Sequence, residues 1–149
     1  MLKDSLKLKG ELNITVKDKN GNVKESRNEK NLIVSAGLAF ICSRMVDAND
    51  NPMSHMAVGS GTNSPVAGDT DLQSILGNRE PLDSTTHSAN TVTYTSSFEA
   101  GEGTGAITEA GIFNASALGT MLCRTTFPVV NKGADDTMAI TWTITLSAA

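Results

Sequence analysis

Leu6, Leu8, Leu12, Ile14 and Val16 fall on alternate positions, with Lys7, Lys9, Glu11, Asn13 and Thr15 between them. A period of two sends successive side chains to opposite faces of a strand, so this run predicts a strand with one buried face. Gly10 interrupts the apolar row and predicts a bend or bulge there. Asp18-Lys19-Asn20-Gly21-Asn22 contains an Asn-Gly step, the strongest short signal for a tight hairpin. The return strand is expected from Val23 to about Arg27, and its polar character marks it as an edge.

The pattern then changes. Leu38, Ile41, Cys42, Met45 and Val46 recur at helical spacing. Ser35 stands where a side-chain oxygen could cap the first turn, so a helix is expected over 36–45. The polar run from Asp47 to Pro52 stops it. Further strands are predicted at Ser54–Val58, around Arg79–Thr86, through Val92, Tyr94 and Phe98, at Gly105–Asn114, and at Met121–Phe127. A polar connection is expected over Pro128–Asp136, and a short helical turn at Ile75-Leu76. The last strand, Met138, Ile140, Trp142, Ile144 and Leu146 alternating with Ala and Thr, has the cleanest period of two after the first. Trp142, central in that row, is expected in the core. Seven or eight strands separated by turn signals predict a mainly β protein. The expected form is an antiparallel β-sandwich, jelly-roll-like, with one short helix near residues 36–45.

Composition narrows the classes. A chain of 149 residues is expected to form a single domain over 1–149, with residues 1–30 as an N-terminal β-hairpin able to form an arm. The formal net charge is −4, and the basic residues between Lys3 and Arg44 are interleaved with acids, so no nucleic-acid-binding face is expected. The N-terminus lacks an apolar signal core, and the stretch from Gly37 to Val46 is too short and polar to span a bilayer, so no membrane partner is expected. Cys42 and Cys123 lie among apolar neighbours and read as buried free thiols, with a disulfide left open if the fold brings them together.

Motifs for catalysis and cofactors are incomplete. Gly59-Ser60-Gly61-Thr62 follows a predicted strand, but Asn63-Ser64-Pro65 stands where a phosphate loop needs lysine and a hydroxyl residue. The third glycine of a dinucleotide fingerprint is also missing. His55 and His87 are the only histidines. Ser54 beside His55 would point to the opposite face if both were in a strand, and no nucleophile elbow is present. Asp47, Asn49 and Asn51 begin like a calcium loop, which Pro52 and Val58 spoil, and Asp69 and Asp71 alone do not make one. Glu80, Glu99, Glu102 and Glu109 are scattered without a recognisable acid–base pairing. No catalytic residue, metal site or cofactor is expected.

Four segments in order carry a resemblance. They are Asn31-Leu32-Ile33-Val34-Ser35-Ala36-Gly37-Leu38; Ser54-His55-Met56-Ala57-Val58-Gly59-Ser60-Gly61-Thr62, followed by Pro65, Gly68-Asp69-Thr70 and Leu72; Gly105-Ala106-Ile107-Thr108-Glu109-Ala110-Gly111-Ile112-Phe113-Asn114; and Gly119 to Pro128, ahead of Lys132, Asp135-Asp136 and Thr141-Trp142-Thr143-Ile144. Over residues 31–146 this order resembles small structural proteins of tailed-bacteriophage particles, including capsid decoration proteins, and the N-terminal region of phage tail-collar fibre proteins. The resemblance implies virion assembly without catalysis, in a particle built in a bacterial cytoplasm. Tail-collar fibres continue into a shaft and tip, whereas this sequence carries neither heptads nor fibre repeats, so a complete adhesive fibre is not expected.

Three functions follow as expectations. The first is a capsid decoration, or cement, protein held by the major capsid protein. The second is a short tail or collar adaptor for fibres. An enzyme or a carbohydrate-binding module, resting only on the Gly59–Asp71 loop, comes from another class. Self-association, with a trimer by analogy, is expected in the first two. Candidate contact residues are Lys7, Lys9, Lys17, Asn20 and Arg27 on the polar face or tip of the hairpin, and His55, Ser60, Thr62 and Asp69 in or beside the glycine-rich loop.

Overall fold

The computed structural model describes residues 5–47 and 50–148. Among them the expected mainly β architecture is present: nine strands in one antiparallel sheet, plus one helix. In chain order they are β1 (Leu6–Lys17), β2 (Val23–Ile33), α1 (Ser35–Met45), β3 (His55–Gly59), β4 (Glu80–Pro81), β5 (Ser84–Ser88), β6 (Thr91–Phe98), β7 (Gly105–Phe113), β8 (Met121–Lys132) and β9 (Thr137–Ala148). The spatial order is β4-β3-β7-β8-β2-β1-β9-β6-β5.

The sheet curls into two layers. One contains β2, β1, β9, β6 and β5; the other contains β4, β3, β7 and β8. The chain joins the layers at both margins. On one side β2 leaves β1 after Asn31, and its last residues Leu32 and Ile33 pair with Arg124 and Cys123 of β8. On the other side Leu82 and Asp83 step between β4 and β5. The Leu82 amide donates to Ser54 O, and the Asp83 amide to Thr95 O. Leu12, Ile14, Val16, Phe98, Met138, Ile140, Trp142 and Ile144 of the first layer meet Met56, Val58, Ile107, Ile112, Phe127 and Val130 of the second in one buried core. Trp142 is therefore in the core, as its place in the last strand implies.

The N-terminal hairpin is part of this body rather than an arm. β1 pairs with β9 from Leu6 to Lys17 and with β2 on its other edge, and Leu12, Ile14 and Val16 are fully buried. The turn forms as the Asn-Gly step predicts, with the Asp18 carboxylate accepting from the Asn20 and Asn22 amides. β2 continues to Ile33, beyond the expected end near Arg27. Its partners on β1 place Glu25, Arg27 and Glu29 on the same side as Val16, Ile14 and Leu12. Inward charges along a free margin keep that edge from pairing with another chain. Arg27 also closes the gap to β8, donating from its guanidinium to the carbonyls of Pro128 and Val129.

β8 runs to Lys132, where a polar connection was expected, because beyond an irregularity at Phe127–Val129 its residues Val130, Asn131 and Lys132 pair with Ile107, Ala106 and Gly105 of β7. Proline lacks an amide to donate, which is tolerated where no strand faces it, and Pro128 lies where β8 has lost β2. Val130 still packs in the core, and Lys132 buries its stem and donates to Glu99 O. No helical turn forms at Ile75-Leu76; Ile75 bridges to Gly59 instead.

Gly10 does not mark a bulge, since the β1 register is regular around it. It makes room for Asn31, its partner on β2: a Cβ at position 10 would overlap the Asn31 amide oxygen. Gly10→Ala is expected to cost about 1–3 kcal/mol by overpacking. The Gly10→Ala/Asn31→Ala double variant should regain most of it, because the buried Asn31 amide has no hydrogen-bond partner to lose. Urea unfolding of the four proteins tests this; additive losses would refute the steric coupling.

The helix begins one residue before its expected start. Val34, not Ser35, occupies the N-cap position and makes no side-chain cap bond; the Ser35 amide donates to Ala67 O. Gly37 is the helix's buried residue, and a Cβ there would strike the Leu122 carbonyl, so the helix lies directly against β8. Its outer side exposes Leu38, Met45 and Val46. The two cysteines are free and unalike. Cys42 is exposed on this helix, which corrects its expected burial, while Cys123 is fully buried and its thiol pKa is pushed up by desolvation. A thiol reagent should therefore label one cysteine in the native protein and two in denaturant. Two fast-labelling native thiols would contradict the packing of β8.

Candidate functional site

The richest polar cluster lies on the outer side of the second layer. In β7 and β8 the residues Ile112 and Cys123 point into the core. Glu109, Gly111 and Arg124 therefore face outward, where the chain from Ser60 to Arg79 covers them. Glu109 is fully buried and Arg124 almost so. One Glu109 oxygen, Oε1, accepts from the amides of Gly61 (3.0 Å) and Ser74 (2.7 Å). The other, Oε2, accepts from the Gln73 amide (3.0 Å) and from Arg124 Nε (3.0 Å). Arg124 Nη2 lies 2.8 Å from Oε2 but is poorly aligned for a hydrogen bond. Arg124 Nη1 bridges Asp69 Oδ2 (3.0 Å) and Asn63 O (3.1 Å). Burial raises the pKa of the Glu109 carboxyl, but the amides of Gln73, Ser74 and Gly61 with the Arg124 guanidinium outweigh it, and the value is held below the usual one.

This arrangement binds the glycine-rich loop to the sheet. The amides that a phosphate loop would aim at a ligand are bonded internally: Gly61 to Glu109, and Thr62 and Asn63 to the Gln73 side-chain oxygen. A carboxylate of the chain itself sits where an anion would. Beside the clasp a small second core of Val34, Ala57, Leu72, Phe113 and Met121 fills the same face. Arg79 stacks 3.6 Å above the Phe113 ring and donates to the carbonyls of Ala115 and Leu118. Asp71 lies 3.5 Å from Arg79 and Asp69 bonds Arg124, so both aspartates face arginines. Among the described residues no group of three His, Cys, Asp or Glu side chains could hold a metal ion, and no helix is long and apolar enough to cross a membrane.

Ser54 and His55 do meet, contrary to expectation. The strand starts only at His55, so the alternation rule does not apply to Ser54, and its Oγ lies 2.8 Å from His55 Nδ1. The surroundings oppose use of the ring as a base. Partial burial, then the positive charge of Arg79, lowers the His55 pKa, whereas the acid of a catalytic triad stabilises the imidazolium. His87 is exposed and bonds Ala89 O.

The candidate contact residues fall on two separate faces. Lys7, Lys9 and Lys17 point outward from β1, where they pair in register with Ser147, Thr145 and Thr137 of β9. They border a broad hydroxyl surface: Thr141, Thr143 and Thr145 of β9, then Thr91, Thr93, Thr95 and Ser97 of β6, then Ser84, Thr86 and Ser88 of β5, in register across the strands. Thr93 and Thr143 hydroxyls lie 3.4 Å apart. Asn20 is exposed in the hairpin turn. His55, Ser60, Thr62 and Asp69 belong to the second layer and its covering loop; Ser60 and Thr62 are exposed there. Arg27 and Asp69 are not free contacts, because Arg27 turns inward to Glu25 and β8 and Asp69 holds Arg124 and the Val66 amide. The hydroxyl face and the Glu109–Arg124 pair escaped the sequence reading. No known protein family matches the chain, and no curated protein or solved structure is significantly similar to it.

Proposed function

We infer that this protein is a non-enzymatic structural component of a tailed-phage particle, a decoration protein that lies on the capsid and stabilises it. The observation that carries this reading is the outer face of the first layer. Three adjacent strands, β9, β6 and β5, present rows of threonine and serine hydroxyls, bordered on β1 by Lys7, Lys9 and Lys17, on a sheet braced at both margins. Such a face can make many modest contacts with a repeating protein surface, and multiplicity converts them into firm attachment. The internal bonding of the glycine-rich loop further supports a load-resisting role over a receptive one. The partner is the major capsid protein, and self-association, as a trimer by analogy, follows from the same reading.

The test is the copy number in purified particles, by quantitative mass spectrometry against the major capsid protein, with the density located by cryo-electron microscopy. Decoration requires copies in proportion to capsomers, on the shell. A handful of copies at the tail or collar would select the adaptor reading that the segment order also implies, and absence from particles would refute both. Thr141→Lys, exposed on the hydroxyl face and paired with the neutral Asn13 and Thr95, should lower occupancy while leaving the melting temperature within about 2 °C of wild type, as an exposed substitution does.

A further inference from the structure

Where α1 lies across the end of the body, the inner faces of the two layers do not meet. They enclose a cavity of ≈ 320 Å³, apolar on nearly every side and partly open to solvent. Val92 and Tyr94 of β6 and Ile144 of β9 line one wall, and Phe40 and Ile41 of α1 line the other. Arg44 also lines it, one helical turn beyond Phe40 and Ile41 and so on the same helix face. Its guanidinium donates to the Asp50 carbonyl at 2.9 Å, a neutral acceptor that orients the group without cancelling its charge. Arg44 is exposed whereas Phe40, Ile41, Tyr94 and Ile144 are not, which places its charge at the mouth.

An apolar chamber of this volume lies in the range of small-ligand sites, which pair mostly apolar walls with a few placed polar groups. Side chains of its own interior would pack to crystal-like density and leave no such space. The chemistry that satisfies both parts is an unbranched alkyl chain ending in a carboxylate: the chain fills the walls, and the head meets Arg44 through charge-assisted hydrogen bonds. We propose that this cavity is a binding site for a medium-chain alkyl carboxylate, with Arg44 recognising the head group. The site is independent of the hydroxyl face and stands whether or not the protein decorates a capsid.

The full-length protein, labelled on its Ile and Val methyls, is titrated with decanoate below the micellar range and followed by nuclear magnetic resonance and calorimetry. Saturable binding is expected, with shifts concentrated on Ile41, Val92 and Ile144. Octanoate should bind roughly tenfold more weakly, because two fewer methylenes are buried. Arg44→Gln should weaken decanoate by roughly tenfold and leave decanol unchanged. Val92→Trp fills the chamber and should abolish binding; should it fail to fold, Thr85→Trp at the rim serves the same purpose. Absence of saturation, shifts centred instead on Val66, Ile75 or Val129, or equal weakening of decanoate and decanol by Arg44→Gln would overturn the proposal. So would concentration-dependent shifts of the same methyls without ligand, which would mean that a second copy fills the cavity.

Discussion

Arg124→Met is expected to destabilise the protein by about 3–5 kcal/mol, the cost of leaving a buried charge without its partner. For a chain of this size that lowers the melting temperature by roughly 10 °C. Glu109 is fully buried, and in the variant it keeps three amide donors but loses the cation that balances it. The loss should show first in the covering loop, so limited proteolysis should cut between Gly59 and Arg79 well before global unfolding. The pH dependence discriminates this account from simple loss of packing. In the native protein the Glu109 pKa is depressed. Its contribution is therefore fully present above the unfolded-state value of about 4.3 and disappears as pH falls through the lower folded value. In Arg124→Met the carboxyl loses its main cation and protonates more readily, so the gap between variant and wild type should narrow as the solution is acidified through that range. Differential scanning calorimetry at several pH values checks both. A variant within about 0.5 kcal/mol of wild type at neutral pH would show that the pair does not hold the loop.

That pair shows how far the sequence is legible. Strands with one wet face announce themselves: β1 and β9 alternate cleanly because their odd and even residues meet different media. β5 does not, since all five of its residues are exposed and its pattern carries no apolar row. β8 past Phe127 was hidden by Pro128, Asn131 and Lys132: β2 diverges there, and the partners that hold the segment, Arg27 for the Pro128 carbonyl and the Glu99 carbonyl for buried Lys132, come from afar in sequence. Glu109 and Arg124 left a usable signal. Glu109 is the one charge of β7 and Arg124 the one charge of β8 before its last residue, they are opposite in sign, and a strand buried on both faces leaves a lone charge no water to turn to. What the sequence withholds is that Asp69 and the Gly61, Gln73 and Ser74 amides converge on them. That depends on how a twenty-residue loop folds back, which no local period encodes. The hydroxyl face was equally hidden: each strand shows Thr and Ser on its wet side, but only the β1-β9-β6-β5 order, joining strands far apart in the chain, brings the rows together.

The core makes the other large prediction. Trp142 is the largest fully buried side chain, set between Leu12 of β1 and Tyr94 of β6. Trp142→Ala should cost about 3–5 kcal/mol, because the surrounding sheets relax only partly around the lost ring system. Trp142→Phe should cost less than about 1.5 kcal/mol, for a reason specific to this site. The indole Nε1 is buried with no hydrogen-bond partner, and an unsatisfied buried donor already costs the native state about 1–3 kcal/mol. Phenylalanine removes that donor and keeps most of the aromatic contact, so relief of the penalty offsets the smaller ring. Since Trp142 is the chain's single tryptophan, its fluorescence reports the environment directly: blue-shifted and shielded from acrylamide in the native protein, red-shifted and quenched on unfolding. Guanidinium unfolding of the three proteins, followed by circular dichroism so that the variants share one probe, gives the two losses. Should Trp142→Phe prove as costly as Trp142→Ala, the indole nitrogen must be held by a bound water and the inner faces must be less dry than the packing of β1, β9 and β6 implies.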